Sequence, residues 1–222
     1  MAGEGLVDDS LNPVINEMKY ILIVVLIISG CSTKDQLVIG IQPYGAVENS
    51  LLDSVSAALA KEYSARISTL PSQPVPEHTF INVKSPRYRA DKLIRHLKDV
   101  KPDSLHYILA ITDVDISTTK KNAFGVTLEP KSKYEDFGIF GLGYKPGPSC
   151  IMSTYRTQKK TPKDKFIMRM KKIGIHEIGH NLGLDHCATS DCVMRDAVES
   201  IATVDNVSAR LCQKCRRKIG LE

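Results

Sequence analysis

The residues of this chain that could do chemistry are concentrated in the stretch HEIGHNLGLDH, at positions 176–186. His176 and His180 are four residues apart, so on a helix they lie one turn apart on the same face and can bind one metal ion. Glu177 is offset by one position, which places it beside the ion rather than on it. From there its carboxylate can remove a proton from a water molecule that the metal activates. This combination is typical of a hydrolytic zinc site.

A third metal ligand must come from outside that helix, and His186 is the candidate. Gly183 allows the chain to leave the helix in a sharp turn, and His186 follows three residues later. Three histidines leave one position of a tetrahedral zinc open, as in catalytic rather than structural sites. Zinc in such a site polarises a carbonyl group and lowers the pKa of water towards about 7. We therefore expect His176, His180 and His186 to bind a catalytic zinc, with Glu177 as general base and acid.

Four cysteines near the histidines predict a second, structural zinc site: Cys187, Cys192, Cys212 and Cys215. Cys187 directly follows His186, so the two side chains should diverge. A thiolate on the catalytic zinc would also fill the position that the water needs. Two close pairs of cysteines suit a closed tetrahedron of four thiolates. In an oxidising compartment the same residues could instead form two disulfides, and the spacing alone leaves both alternatives open.

The histidines require a long helix, and the sequence from Pro162 to Leu182 predicts one. Thr161 suits the N-cap, Pro162 suits the first helical position, and Gly183 ends the pattern. Upstream, helix and strand patterns predict a mixed α/β (α+β) fold with a sheet of about four or five strands. The predicted strands are 36–45, 104–117, 123–128, 137–142 and 149–156, and the other predicted helices are 46–64 and 89–100.

The N-terminal segment predicts export. Lys19 precedes an apolar run, 20–28, that is too short to span a bilayer, which needs about 20 residues, but fits the core of a signal peptide. The small residues and the cysteine that follow resemble the lipobox of bacterial lipoproteins. We expect residues 1–30 to be an N-terminal extension and signal peptide, and Cys31 to be the lipidated first residue of a single domain, 31–222. The alternative is a buried strand followed by an incidental cysteine.

The expected location follows from this segment. A used signal places the protein on the periplasmic side or at the outer membrane of a bacterium, where the lipid on Cys31 anchors it. An unused signal leaves the protein in the cytoplasm.

Composition and charge limit the other partners. Of the 222 residues, 42% are hydrophobic and 25% are charged, which is ordinary for a globular domain with a core. Basic residues cluster between Arg156 and Lys172, but nucleic-acid binding would require a groove with interleaved aromatics. We interpret this run as a solvated or membrane-proximal helix face and expect no nucleic-acid partner. Asp113 and Asp115, at the end of a predicted strand, are expected to be solvated. We expect a monomer.

The order of the site residues resembles one family. The stretch HEIGHNLGLDHC, followed by Cys192, Met194 and CQKC at 212–215, is similar to the pattern of the archaemetzincins, zinc metallopeptidases of the metzincin clan. The stretches ILAITDVDI and FGIFGLG are also similar to that family. The resemblance covers most of residues 36–218. It implies a metzincin-like twisted mixed sheet, an active-site helix and a cysteine-rich C-terminal helical part.

The same resemblance implies two further roles. Met194 would form the Met-turn beneath the zinc-binding histidines. An edge strand above the cleft, for which 137–142 is the candidate, would bind a peptide substrate by main-chain pairing.

Two hypotheses about function follow. The first is a zinc-dependent peptidase with two zinc ions that acts on peptides or proteins, as an aminopeptidase or a protease of small peptides. The second is a non-catalytic zinc-binding envelope lipoprotein that recognises peptides. Glu177 favours the enzyme, because metal binding alone does not require it.

Overall fold

The structure is a computed structural model that describes residues 36–196 and 200–221. In that part of the chain the strands are β1 (Val38–Tyr44), β2 (Arg66–Thr69), β3 (Phe80–Asn82), β4 (Pro86–Arg89), β5 (Tyr107–Thr112), β6 (Ile116–Thr118), β7 (Phe137–Gly138), β8 (Gly141–Gly143) and β9 (Ser149–Ser153). The α-helices are α1 (Asn49–Tyr63), α2 (Ala90–Val100), α3 (Lys131–Tyr134), α4 (Lys163–Asn181), α5 (Ile201–Asn206) and α6 (Gln213–Lys218).

The main sheet has five strands in the order β2-β1-β5-β9-β8. β2, β1, β5 and β9 are parallel, whereas β8 pairs antiparallel with β9 and forms an edge. All seven residues of β1 are buried, as expected for a parallel strand that is covered on both faces. The prediction of a mixed α/β fold with a sheet of four or five strands is confirmed.

Helices cover both faces of this sheet, and β5 shows how the sequence achieves it. Leu109 and Ile111 belong to the core formed with α1 and α4, while Ile108 and Ala110 belong to the core formed with α2. Successive residues of a strand point to opposite faces, so one apolar run supplies both cores. The long helix α4 is thereby fixed against the strands that end at the site.

A second sheet was not predicted. It has four short strands in the order β3-β4-β6-β7. The predicted strand 104–117 is divided between β5 in the main sheet and β6 in the second sheet. Likewise, 137–142 is divided between β7 and β8. The predicted strand 123–128 is wrong: this stretch is a turn in which Asn122 donates to Val126 O and its side chain accepts from the Phe124 and Val126 amides.

Helix α4 confirms the prediction of a long helix over 162–182, although its N-terminus is capped differently. The Thr161 hydroxyl donates to Lys159 O and accepts from the Arg169 guanidinium, so it does not cap the helix. Arg169 and Lys172 correct the interpretation of the basic run as a solvated face. Both side chains are buried: Arg169 forms two hydrogen bonds with the Asp205 carboxylate, and the Lys172 ammonium donates to two backbone carbonyls.

The residues from Gln36 to Glu222 form one compact unit. The predicted signal segment, 1–30, and the predicted lipidation site, Cys31, lie outside the described residues. No helix among the described residues has the length and apolar character needed to cross a bilayer.

The contact between Tyr63 and α4 gives a stability prediction. The Tyr63 hydroxyl is buried and donates a 2.6 Å hydrogen bond to Ile175 O. Tyr63→Phe should therefore lower the free energy of unfolding by about 1 kcal/mol, measured by urea denaturation. Tyr107→Phe, at a half-buried tyrosine, is the matched control and should change it by less than about 0.5 kcal/mol. Equal losses in the two variants would show that the hydrogen bond contributes nothing specific.

Candidate active site and zinc centres

The three predicted histidines meet at one point. His176 and His180 lie on α4, and His186 lies in the loop that follows. Their ring centroids are 4.6 Å apart for His176 and His180, 5.4 Å for His176 and His186, and 5.0 Å for His180 and His186. One ring nitrogen from each lies within 4.8 Å of the others. Gly183, with φ of +88°, provides the left-handed turn that brings His186 back to the helix.

Hydrogen bonds to the backbone orient the two helical imidazoles. The His176 Nδ1 is 2.8 Å from Val193 O, and the His180 Nδ1 is 2.8 Å from Leu184 O. A carbonyl can only accept, so Nδ1 carries the hydrogen in both rings and Nε2 keeps its lone pair for a metal. Burial, followed by the effect of His180, lowers the pKa of His176 to about 4. This favours the neutral form that metal binding requires.

The third histidine is oriented by a carboxylate. The His186 Nδ1 lies 3.3 Å from an Asp196 carboxylate oxygen. The His186 side chain is 46% exposed. At this ring a carboxylate occupies the position that backbone carbonyls occupy at the other two rings. Sequence reasoning missed Asp196, because nothing in its spacing distinguishes it from a surface acid.

Glu177 lies beside the histidines and is buried, with 6% of its surface exposed. Burial raises its pKa to about 8. The edge strand β8 passes directly over it: a Cβ on Gly141 would lie 2.4 Å from the Glu177 Oε1, and a Cβ on Gly143 would lie 3.0 Å from its backbone oxygen. Only glycine allows β8 to approach this closely. Residues 137–142 are the candidate for an edge strand above the cleft. Of these residues, it is those in β8 that lie over the cleft at Glu177.

Met194 lies under the helix that carries the first two histidines. Its side chain is fully buried, and a Cβ on Gly179 would lie 2.4 Å from its sulfur. The preceding carbonyl, Val193 O, is the one that orients His176. The Arg195 amide closes this turn by donating to Cys192 O. The Met194 turn thus packs against α4 and orients one of its histidines.

The four predicted cysteines form a second cluster. The Sγ atoms of Cys187 and Cys212 are 3.7 Å apart, those of Cys192 and Cys215 are 3.8 Å apart, and all four lie within 4.8 Å of one another. Disulfide sulfurs are about 2.05 Å apart, so these pairs are not bonded. Zn–S bonds of about 2.3 Å in a tetrahedron place the sulfurs about 3.8 Å apart. The Cys212 amide also donates to the Cys192 sulfur, which stabilises a thiolate.

Both donor sets fit zinc. Three neutral imidazoles with a neighbouring carboxylate suit an ion that keeps an open position, and four thiolates suit a closed structural ion. The two sets share no ligand, because Cys187 belongs to the sulfur cluster and His186 to the imidazole cluster. The His triad and the Cys cluster could thus bind two zinc ions.

The histidines lie on the floor of a cleft of about 790 Å³. Its walls come from β7, β8, α4, α5 and the loop after α4. The lining includes Phe137, Gly141, Glu177, Arg156, Lys145 and Val204. A cleft of this size admits a peptide segment, and all three histidines line it.

One expectation about the surroundings of the cleft is wrong. Asp115 is not a solvated strand-end acid: it is 7% exposed and forms hydrogen bonds of 2.7 Å and 2.8 Å with Arg156. Arg87 lies 3.4 Å away on its other side. Both arginines are distant in sequence, so the sequence around Asp115 carries no signal of this pairing.

Comparison with known proteins agrees with this geometry. Peptidase family M54 matches residues 35–220 of the chain. An archaemetzincin from Natronomonas pharaonis is 30% identical over 189 residues, which cover 82% of this chain and 98% of the relative. The crystal structure of an archaemetzincin from Methanopyrus kandleri has the same fold, with a TM-score of 0.68, 22% identity, and coverage of 85% of this chain and 96% of that chain.

A second solved structure with a similar fold is that of a zinc-dependent peptidase. The crystal structure of a zinc-dependent peptidase from Methanocorpusculum labreanum matches with a TM-score of 0.63 and 25% identity, and covers 82% of this chain and 99% of that chain. The family match spans nearly all of the described fold, and the donor sets of that fold fit zinc. This chain therefore belongs to peptidase family M54, the archaemetzincins, and is a zinc metallopeptidase.

Proposed function

We propose that His176, His180 and His186 hold the catalytic zinc and that Glu177 is the general base and acid of peptide-bond hydrolysis. One observation carries this assignment: three imidazole nitrogens converge within 4.8 Å at the floor of a cleft, beside a buried carboxyl group. Zinc, when bound, supplies Lewis-acid chemistry that polarises a carbonyl and acidifies water. The protein supplies the geometry and the proton transfers.

The position of Glu177 suits two proton transfers. Its carboxylate removes a proton from the attacking water and then delivers that proton to the nitrogen of the leaving amine. Burial raises the pKa of this carboxyl group to about 8, which favours the protonated form that donates to the leaving amine. Because Gly141 and Gly143 have no side chains, β8 can lie close to Glu177. A peptide paired with β8 would therefore lie near the carboxyl group.

The edge of β8 supports binding of an extended peptide. β8 pairs with β9 on one side only, so its other edge can pair with a substrate backbone. A strand held there lies alongside β8, which itself passes over Glu177. A cleft of about 790 Å³ accepts a short segment rather than a folded domain, and we infer an aminopeptidase or a protease of small peptides.

The sulfur cluster acts as a structural zinc site that holds the third histidine in place. Cys187 follows His186, Cys192 begins the Met194 turn, and their two partners belong to the C-terminal segment around α6. A zinc ion bound to all four cysteines ties this segment to the loop after α4. Met194 then serves as the Met-turn of the site, since it packs on Gly179 between the two helical histidines.

We also propose that the domain 31–222 is exported and anchored by a lipid on Cys31, and that it is monomeric. The family match begins at residue 35 and the compact unit begins at Gln36, so Cys31 lies just ahead of the catalytic domain. The order of basic, apolar and small residues before Cys31 supports cleavage at that point.

This anchor gives a first prediction. The full chain expressed in a Gram-negative host should lose residues 1–30 and fractionate with membranes, because a diacylated cysteine is inserted in the bilayer. Mass spectrometry should find the lipid on Cys31, and Cys31→Ser should abolish it. Recovery of the intact N-terminus in the cytosolic fraction would overturn the anchor and leave the peptidase unaffected.

Glu177→Ala tests the peptidase. The variant should lose activity on a mixed peptide library by about 10²-fold or more, because general acid–base catalysis is removed. It should keep its zinc, since the three histidines are intact. Cleavage products are read by mass spectrometry, and their ends distinguish an aminopeptidase from an endopeptidase. A non-catalytic peptide binder would instead show no cleavage with either protein and equal peptide binding.

Gly141→Ala tests the close approach of β8 to Glu177. The added methyl group would lie 2.4 Å from the Glu177 Oε1, so the carboxylate or the strand must move. We expect kcat to fall by about 10-fold or more, because displacement of a catalytic group by about 1 Å has large effects. Gly174→Ala is the control: its methyl group would meet Val55 at an ordinary 3.4 Å, and activity should be kept. Equal activity of all three proteins would contradict the proposed packing.

Zinc stoichiometry tests the two centres separately. The wild-type chain should contain two zinc ions by elemental analysis, and both His180→Ala and Cys212→Ser should contain about one. The variants should differ in stability: Cys212→Ser should lower Tm strongly, because a closed thiolate site contributes directly to folding. A wild-type protein that contains one zinc ion, with the four cysteines joined in two disulfides, would contradict the proposed structural zinc site and leave the proposed catalytic site unaffected.

A further inference from the structure

Arg156 lines the catalytic cleft with one edge of its guanidinium group already bound. Its Nε and Nη2 donate to the two carboxylate oxygens of Asp115, at 2.7 Å and 2.8 Å. This side-on pairing leaves both hydrogens of Nη1 and one hydrogen of Nη2 available to donate to a ligand. Within residues 36–196 and 200–221, the structure gives the Arg156 Nη1 no hydrogen-bond partner. The side chain is 33% exposed, and it borders the cleft.

A buried row of alternating charges fixes the position of Arg156. Asp136 lies 3.7 Å from Arg87, Arg87 lies 3.4 Å from Asp115, and Asp115 is bonded to Arg156. Two carboxylates and two guanidinium groups compensate one another. The row runs from Asp136, just before β7, to Arg156, which lines the cleft. Asp115 thus contacts two guanidinium groups, those of Arg87 and Arg156. Its interaction with Arg156 uses only the Nε and Nη2 donors of that side chain.

Strand β7 holds the guanidinium plane from the other side. A Cβ on Gly138 would lie 2.1 Å from both the Arg156 Cζ and Nη2. The guanidinium group therefore rests on the backbone of β7, in a space that any other residue at position 138 would fill. An arginine held on two sides loses little side-chain entropy when it binds a ligand.

The lining of the cleft around Arg156 contains more basic than acidic residues. Its charged lining residues are Lys120, Lys145, Arg156, Lys172 and Arg195 against Glu177 and Asp196. Asp196 contacts His186, and Glu177 is buried under β8. Lys145 pairs with Asp185, which lies outside the lining, and the Lys172 ammonium is held by backbone carbonyls. Arg156 offers an anionic substrate group a two-donor edge in this cleft.

We propose that Arg156 is a specificity-determining residue that binds a carboxylate of the peptide substrate, through its free Nη1 and Nη2 hydrogens. The inference rests on the proposed peptidase function and adds the class of substrate, which is a short peptide that carries a carboxylate next to the cleaved segment. That carboxylate is either an acidic side chain or the C-terminus, since both have the same geometry. Asp115 is a positioning residue that holds Arg156.

Two matched peptide pairs distinguish the two sources of carboxylate. The first pair has Glu or Gln at a scanned position and an amidated C-terminus. The second pair is neutral in its side chains and has a free or an amidated C-terminus. We expect the wild-type enzyme to prefer one of the carboxylate forms by about 10- to 100-fold in kcat/KM, mainly through KM, as a charge-assisted pair implies.

Arg156→Gln should reduce that ratio towards one. Lys163→Gln is the control for charge, because Lys163 is exposed outside the cleft and pairs with Glu48 at 3.7 Å; it should keep the preference. Arg156→Gln leaves Asp115 with Arg87 alone. We therefore include Asp115→Asn with Arg156→Gln, in which no carboxylate has lost its partner, and thermal unfolding confirms the fold of each variant.

Peptide binding provides a readout that does not depend on turnover. Fluorescence anisotropy with zinc-loaded Glu177→Ala should show the same preference for a carboxylate, and adding Arg156→Gln should remove it. Cleavage of all four peptides at similar rates, or a preference that survives Arg156→Gln, overturns the inference and leaves the peptidase standing. Selective binding of a carboxylate peptide without any cleavage by wild type supports the anion site and counts against the peptidase.

Discussion

The hydrogen bond from His176 to Val193 O is the contact on which the rest of the site depends. The carbonyl belongs to the turn that Cys192 begins and Met194 fills, and this turn is packed against α4. Cys192 is also part of the sulfur cluster. One turn therefore contributes to both clusters: its carbonyl orients the His176 imidazole, and its first residue is one of the four cysteines. Loss of the sulfur cluster would release the carbonyl that sets the tautomer of His176.

A second constraint acts from the opposite side of the helix. β8 can pass over Glu177 only because two of its residues are glycines, and it can hold that position because β9 pairs with its inner edge. The backbone of β8 thus contributes to the burial of the carboxyl group. Burial raises its pKa to about 8. The same arrangement places a buried carboxyl group beneath an edge strand of the main sheet.

Much of the site could be predicted because its information is local. The spacing of His176 and His180, the glycine at 183 and the two cysteine pairs fix directions within one helix and one loop, and the structure brings these residues together as expected. The bounds of α4 were predicted within one residue at each end. Local periodicity also predicted β1, α1, α2 and β9, whose apolar faces are buried in the two cores.

The features that were not predicted depend on distant partners. The chain changes sheets between β5 and β6, and Asp115, which lies between these strands, pairs with the distant residues Arg87 and Arg156. Strands β3, β4 and β7 are too short to show a period. Arg169 and Lys172 lie in a run of basic residues, yet both are buried. Arg169 donates to the Asp205 carboxylate, and Lys172 donates to two carbonyls of α5. Nothing within a local window identifies these partners.

The central claim is that this fold holds two separate zinc ions and keeps the one in the cleft open to substrate. Anomalous diffraction from crystals of the zinc-loaded protein, recorded on either side of the zinc edge, tests it most directly. We expect two peaks. One should lie about 2.0–2.1 Å from the Nε2 atoms of His176, His180 and His186, with an open side facing Glu177, and the other about 2.3 Å from four cysteine sulfurs. A single peak, or a peak in the cleft that is ligated by Cys187, would contradict the account.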